Sequence, residues 1–276
     1  MTTLALLHTS PAHVPVFDAL RDDEAPGLEL RHLVHGQLLD RARESGPHAV
    51  TGDVRAVLAG AVARGADAVL CTCSTIGAVA EAASVSLGVP VLRVDRPMAA
   101  AAVAHGRRIA VVATVESTLE PTAALIREED ALRDRGATRD QGATRVRGVV
   151  RGEGATGEGA TGEGVTGEGL TGERATGEGA GAVQALVLRT VLAEGAWAHF
   201  ESGDAQAYCA AIARTVDALC DVDVVVLAQA SMAPAAARTT CGVPVLASPR
   251  SGCGRRWPRR GRPGRVEPAG AGQARG

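Results

Sequence analysis

Residues 66–95, ADAVLCTCSTIGAVAEAASVSLGVPVLRVD, return in altered form as residues 221–249, DVDVVVLAQASMAPAAARTTCGVPVLASP. Each copy opens with an aspartate and a β-branched apolar run, passes through small polar residues into an Ala-rich helical stretch, and closes on a GVPVL strand. A second pair extends the duplication: LLHTSPAHVPVFDAL (6–20) lies on VVATVESTLEPTAAL (111–125), so that Thr9 meets Thr114 and Leu20 meets Leu125. Strand-turn-helix units beginning at Thr3 and Ala66 thus have counterparts beginning at Arg107 and Asp221. The expected fold is α/β, with two pseudo-symmetric doubly wound halves, mainly parallel sheets and a cleft between them. Residues 1–96 form the first half, completed by 241–250, and residues 97–240 form the second.

Composition agrees with this architecture. Hydrophobic residues make up 46% of the 276 and aromatics only 2%, so the core is built from Val, Leu, Ile and Ala, as in parallel strands covered on both faces. Arginine supplies every basic charge, lysine being absent, and the net charge of −2 gives no chain-wide field for a polyanion. Nucleic acid is therefore not an expected partner. The opening MTTLALLHTS lacks a basic n-region, and no stretch approaches the roughly 20 apolar residues that span a bilayer, so no membrane partner and a cytoplasmic location are expected. The six cysteines have no framework spacing and read as thiols. The Cys71-x-Cys73 pair lacks a second Cys or His pair at ligand spacing, so no metal is expected there.

Along the chain, strands are expected at Thr3–Leu7, Leu28–Val34, Ala68–Cys71, Val89–Val94 and Asp223–Leu227, with helices at 52–64, 76–84, 183–192 and 206–219. Asp95, Arg96 and Pro97 read as a crossover. From Arg133 to Gly181 the pattern breaks into GATRDQGATRVRG and a Gly/Glu pentad repeat, read as a disordered acidic insertion in preference to a calcium-binding repeat. Residues 251–276, with prolines among arginines and no apolar face, read as a disordered basic tail.

The chemistry is expected at the strand ends. Cys73 follows a buried strand and precedes a helix whose first residues, Ser74 and Thr75, are good caps. A thiol there faces the positive end of the helix dipole, which suits a base or nucleophile, whereas Cys71 lies one layer deeper in the core. Thr9, Thr114, Ser117 and Ser231 are hydroxyls at equivalent loop ends; with helix N-terminal amides they suit a carboxylate, or each simply caps its helix.

HTSPA after the first strand, CTCST after the third, VVATVEST opening the second half, VLAQASMA near its end and GVPVLASPR last resemble the aspartate/glutamate/hydantoin racemase superfamily, in its broad "Asp/Glu racemase" branch, over most of residues 1–126 and 183–250. The resemblance implies no cofactor and a cysteine from each half flanking the substrate's α-carbon. By position it makes Cys73 the first of these cysteines, with Ser74 and Thr75 in the adjoining substrate-binding turn and Thr114 and Ser117 as carboxylate-binding hydroxyls. Gln229 stands at the second cysteine's place, Ser231 where glutamate racemases carry a histidine, and His8 where they carry an aspartate. Glutamine exchanges no proton near neutral pH.

The expected function is a cofactor-independent racemase or isomerase-type enzyme on a small amino acid or dicarboxylate. Cys73 acts as base or nucleophile, His8 supplies a second proton, and Thr9, Ser74, Thr75, Thr114, Ser117, Gln229 and Ser231 bind substrate. The alternatives are a one-thiol decarboxylase or cis-trans isomerase, and a non-catalytic carboxylate-binding protein on the same scaffold. The oligomeric state is left open, a homo-oligomer included.

Overall fold

The computed structural model describes residues 2–149 and 184–249. The first half runs β1 (Thr2–His8), α1 (Val14–Glu24), β2 (Leu28–Val34), α2 (Gly36–Ser45), α3 (Thr51–Ala63), β3 (Ala68–Cys71), α4 (Ser74–Ala82), α5 (Ser84–Leu87) and β4 (Val91–Arg93). The second runs α6 (Arg96–His105), β5 (Arg108–Ala113), α7 (Leu119–Val149), β6 (Val187–Leu192), α8 (Ala196–Glu201), α9 (Ala205–Asp217), β7 (Val224–Leu227), a 3-10 helix at Ala230–Arg238 and β8 (Val245–Ala247). Each half holds a four-stranded parallel sheet, ordered β2-β1-β3-β4 and β6-β5-β7-β8, so the repeated sequence becomes a repeated topology.

The aspartate that opens each copy sets strand register. Asp67 Oδ2 accepts the Thr3 N–H at 2.9 Å, and Asp223 Oδ2 accepts those of Arg107 and Arg108 at 2.9 and 2.8 Å. Each carboxylate thereby ties the start of the central β3 or β7 to the strand beside it. Gly106 lets Asp223 approach, since a Cβ there would lie 2.3 Å from Asp223 Cβ. Backbone donation, the Arg108 amide first, holds the Asp223 carboxyl below its ordinary range.

Apolar side chains cover both faces of each sheet. In the first half Val54, Leu58, Ile76 and Val79 pack with Leu7, Val69 and Val91 on one side, while Phe17 and Leu20 meet Leu4, Leu6 and Leu70 on the other. In the second half α9 contributes Tyr208, Ile212 and Val216 to one face, and α6 and α7 contribute Met98, Val103, Leu125 and Ile126 to the other.

Five expectations need correction. Helical periodicity at 183–192 does not become a helix: Val187–Leu192 is β6, paired in parallel with β5 along its whole length. Residues 241–250 do not complete the first half, because Val245, Leu246 and Ala247 of β8 pair with Val225, Val226 and Leu227 of β7. The insertion does not begin at Arg133: α7 continues to Val149, its one proline, Pro121, standing in the first turn where no intrahelical amide is needed, while the pentad repeat and the tail 251–276 lie outside the described residues. The crossover at Arg96 opens a helix, α6. The Ala-rich stretch after Gln229 is a 3-10 helix, with Pro234 inside it denying an amide to α-helical bonding. Among the described residues no helix is long and apolar enough to cross a membrane.

Candidate functional site

Cys73 and Gln229 are the residues on which the two central strands turn into helices. Both have extended backbone, φ/ψ −109°/119° for Cys73 and −128°/139° for Gln229, and neither side chain makes a capping hydrogen bond. The adjoining residues join the halves. Ser74 Oγ donates to the Ala228 carbonyl at 3.0 Å, and Thr75 Oγ1 donates to the Ser117 carbonyl at 3.4 Å. The residue after Cys73 is thus bonded to the residue before Gln229. The protons of Ser74 and Thr75 are committed to these ties, and each hydroxyl keeps only acceptor capacity toward a ligand.

Cys73 is 9% exposed, and Cys71 is more deeply buried, its Sγ donating to the Cys73 carbonyl at 3.5 Å. Burial, then the neighbouring Cys73, pushes the Cys71 thiol far up from its ordinary range, so Cys71 stays a protonated core residue. Behind it lies a buried ion pair. Arg93 Nε and Nη2 donate to Asp95 Oδ1 and Oδ2, both at 3.0 Å, and Nη2 also reaches the Pro121 carbonyl in the second half at 3.4 Å. The guanidinium passes over α4 at Gly77, where a Cβ would stand 2.7 Å from Arg93 Nε.

On the facing side Gln229 Oε1 accepts two donors from Thr114, its backbone N–H at 2.7 Å and its hydroxyl at 2.9 Å. Thr114 Oγ1 lies 3.5 Å from the hydroxyl of Tyr208, which makes a 2.9 Å hydrogen bond with Ser231 Oγ. Burial pushes the Tyr208 hydroxyl above its ordinary range, so it is a neutral member of the network. Thr114, Gln229 and Ser231, all singled out from sequence, are brought together here. Tyr208, which links them, was not foreseen, although it is the chain's sole tyrosine and a buried phenol needs a hydrogen-bond partner.

His8 is fully buried at the end of β1, its Nδ1 2.8 Å from Thr72 Oγ1 and its Nε2 2.8 Å from His32 Nδ1. Because Thr72 donates to the Leu7 carbonyl, Nδ1 of His8 carries the proton and Nε2 accepts. His32 Nε2 continues the chain to Asp18 Oδ1 at 3.2 Å. Burial first, then His32 and His13, lowers the His8 pKa to about 3, which keeps the ring neutral with both nitrogens occupied by protein groups. Ser117 Oγ is buried without a hydrogen-bond partner. Thr9 is half-buried at the end of β1, outside the network formed by the other loops among the described residues. No group of three or more His, Cys, Asp or Glu side chains is arranged to hold a metal ion among the described residues.

No protein-family model matches the chain, and no curated protein matches it. Solved structures do. Glutamate racemase from Aquifex pyrophilus superposes with a TM-score of 0.53 at 12% identity, over 91% of this chain and 81% of that one. A glutamate racemase isoform from Bacillus anthracis gives 0.54 at 13%, over 91% and 79%. The Thermus thermophilus glutamate racemase, solved in complex with β-chloro-D-alanine, gives 0.52 at 13%, over 91% and 77%. The chain is similar to these enzymes in fold.

Proposed function

We propose, from a fold shared with glutamate racemases and from the pairing of the two turns, that the protein is a cofactor-independent isomerase-type enzyme acting on a small amino acid or dicarboxylate through the single thiol of Cys73. The observation that carries this reading is the 3.0 Å bond from Ser74 to the Ala228 carbonyl, which links the residue after Cys73 to the residue before Gln229. A thiol there can take or return the α-proton of a bound carboxylate, or add to an activated double bond. The first-turn amides of α4 lack intrahelical partners and suit the carboxylate itself. The β-chloro-D-alanine complex of the Thermus thermophilus enzyme supports an amino-acid-sized ligand.

Because Gln229 cannot exchange a proton, the exchange runs on one face of the substrate. This favours a one-thiol reaction, proton return after decarboxylation or cis-trans isomerisation, over symmetric racemisation. In the same reading Ser74 and Thr75 position the turn, and His8 holds Thr72 beside Cys73. The test is solvent deuterium incorporation into D- and L-aspartate, D- and L-glutamate and malonate, together with conversion of maleate to its trans isomer, by the wild-type protein and Cys73→Ser. Exchange that persists unchanged in the variant would sink the assignment. Gln229 also favours a second reading, a carboxylate-binding protein without catalysis. That reading predicts no exchange with any substrate and a Cys73 that alkylates no faster than an ordinary thiol.

A further inference from the structure

The hydrogen bonds around Gln229 fix the polarity of its side chain. A backbone N–H can only donate, so the atom facing the Thr114 amide at 2.7 Å must be the carbonyl oxygen, Oε1. The Thr114 hydroxyl spends its one proton on the same oxygen at 2.9 Å, filling the second lone pair. Oε1 is therefore saturated by protein donors. The amide nitrogen makes no hydrogen bond to protein among the described residues, and it is not among the buried polar atoms left without a partner. Behind Thr114 the Tyr208 and Ser231 hydroxyls brace the arrangement from α9 and from the 3-10 helix.

We infer that Gln229 is a donor-only recognition group, locked in that sense by Thr114 and braced by Tyr208, which hydrogen-bonds an anionic oxygen of the substrate next to Cys73. The inference rests on the proposed site and deepens it by naming what that site selects: a carboxylate or enolate oxygen, not an ammonium or amide N–H. Thr114 then acts as a positioning residue, since its proton is already used. When Cys73 removes a proton next to a carboxylate, the electron pair of the broken C–H bond moves onto the carboxylate carbon and oxygens, and the Gln229 amide donates to the oxygen that gains charge.

The test separates binding from chemistry. Calorimetric titrations use Cys73→Ser as the parent, with malonate, maleate and D- and L-glutamate as probes and malonamide as the neutral counterpart of malonate. Gln229→Glu keeps the shape and can still accept both Thr114 donors, but it replaces the free amide by a charged acceptor. The expected result is carboxylate binding by the parent, weakened about tenfold to a hundredfold by Gln229→Glu near pH 8, with malonamide bound more weakly than malonate. The loss should be largest for the doubly charged malonate and maleate and absent for malonamide, which carries no anionic oxygen for the introduced carboxylate to repel. A merely structural role for Gln229 would weaken charged and neutral probes alike. Binding in Gln229→Glu equal to the parent's, malonamide bound as tightly as malonate, or no carboxylate bound by the parent would each overturn the inference. A wild-type protein that binds these carboxylates but neither exchanges deuterium nor converts maleate to its trans isomer would instead sink the catalytic reading of Cys73.

Discussion

The turn at Cys73 and the turn at Gln229 stand at equivalent places, yet they are supported in opposite ways. Arg93, Asp95 and Gly77 surround the first; the corresponding residues of the second copy are Ala247, Pro249 and Ala233. Where the strand carries a long buried guanidinium, the helix beside it gives up its Cβ; where the strand carries alanine, the helix keeps one. The second turn has no such ion pair among the described residues and is held by the hydroxyl network from Thr114 through Tyr208 to Ser231. The side chain at each turn thus comes with a different support, so each copy can be probed by giving it the other's residues.

The largest effect is expected at the thiol. Cys73→Gln copies the second turn into the first and removes the only group of the pair able to exchange protons, so turnover should fall by about 10² to 10⁴, measured as initial rates of deuterium incorporation. Full activity in this variant would mean that the two turns are not divided into acid-base and binding roles.

Next comes the ion pair. Arg93→Ala copies Ala247 and leaves Asp95, 1% exposed, as a buried charge without its partner, at a cost of about 3 to 5 kcal/mol, read from denaturant unfolding. Gly77→Ala should behave differently in the two backgrounds. In the wild type its Cβ meets Arg93 and destabilises by about 1 to 3 kcal/mol. In Arg93→Ala the clash is gone and the better helix propensity of alanine stabilises by up to about 1 kcal/mol. The absence of that reversal of sign would break the compensation drawn from the two copies.

The ends of the first strands differ in the same manner, His8 facing Ala113 in the alignment of the copies. His8 has a folded pKa of about 3 against an ordinary 6.5, so the unfolded chain takes up the proton first as the pH falls. Its contribution to stability is intact above about pH 6.5 and is lost progressively toward pH 3. Between about pH 7 and pH 5 the loss should be about 1 to 2 kcal/mol once solvent screening is counted. His8→Ala, which copies Ala113, should flatten that part of the stability profile even though it lowers stability at pH 7. An unchanged slope would show that His8 titrates alike in both states.

The duplication, the central strands and the equivalence of Cys73 and Gln229 were legible because a buried parallel strand writes itself as a β-branched run, and two such runs can be laid on each other. The supports were not. Arg93 and Asp95 looked like the end of a strand and the start of a crossover; the signal was their spacing of two, which puts both on one side of extended chain. Helix α6 was missed because AAAAVA offers no polar contrast from which to read a period. Tyr208 lies inside the helix expected at 206–219, but sequence does not tell which buried hydroxyls a fold will bring within reach of it.

The smallest effect concerns the tie between the turns. Ser74 corresponds to Ala230, so the bond to the Ala228 carbonyl has no mirror image from the second turn, and one hydroxyl carries it. Ser74→Ala should cost about 1 kcal/mol in unfolding free energy, the ordinary net value of such a bond. The functional consequence should be the sharper one. With the carbonyl before Gln229 released, the second turn is tied to the first only indirectly, through Thr75 to Ser117 and Arg93 to Pro121, so proton exchange should fall by more than the change in carboxylate affinity accounts for. A variant that loses affinity and exchange in equal proportion would place Ser74 in substrate binding, as its neighbourhood to Cys73 alone suggests. A variant that loses neither would show that the Thr75 bond to the Ser117 carbonyl and the packing of α4 against α7 suffice to hold the two turns together.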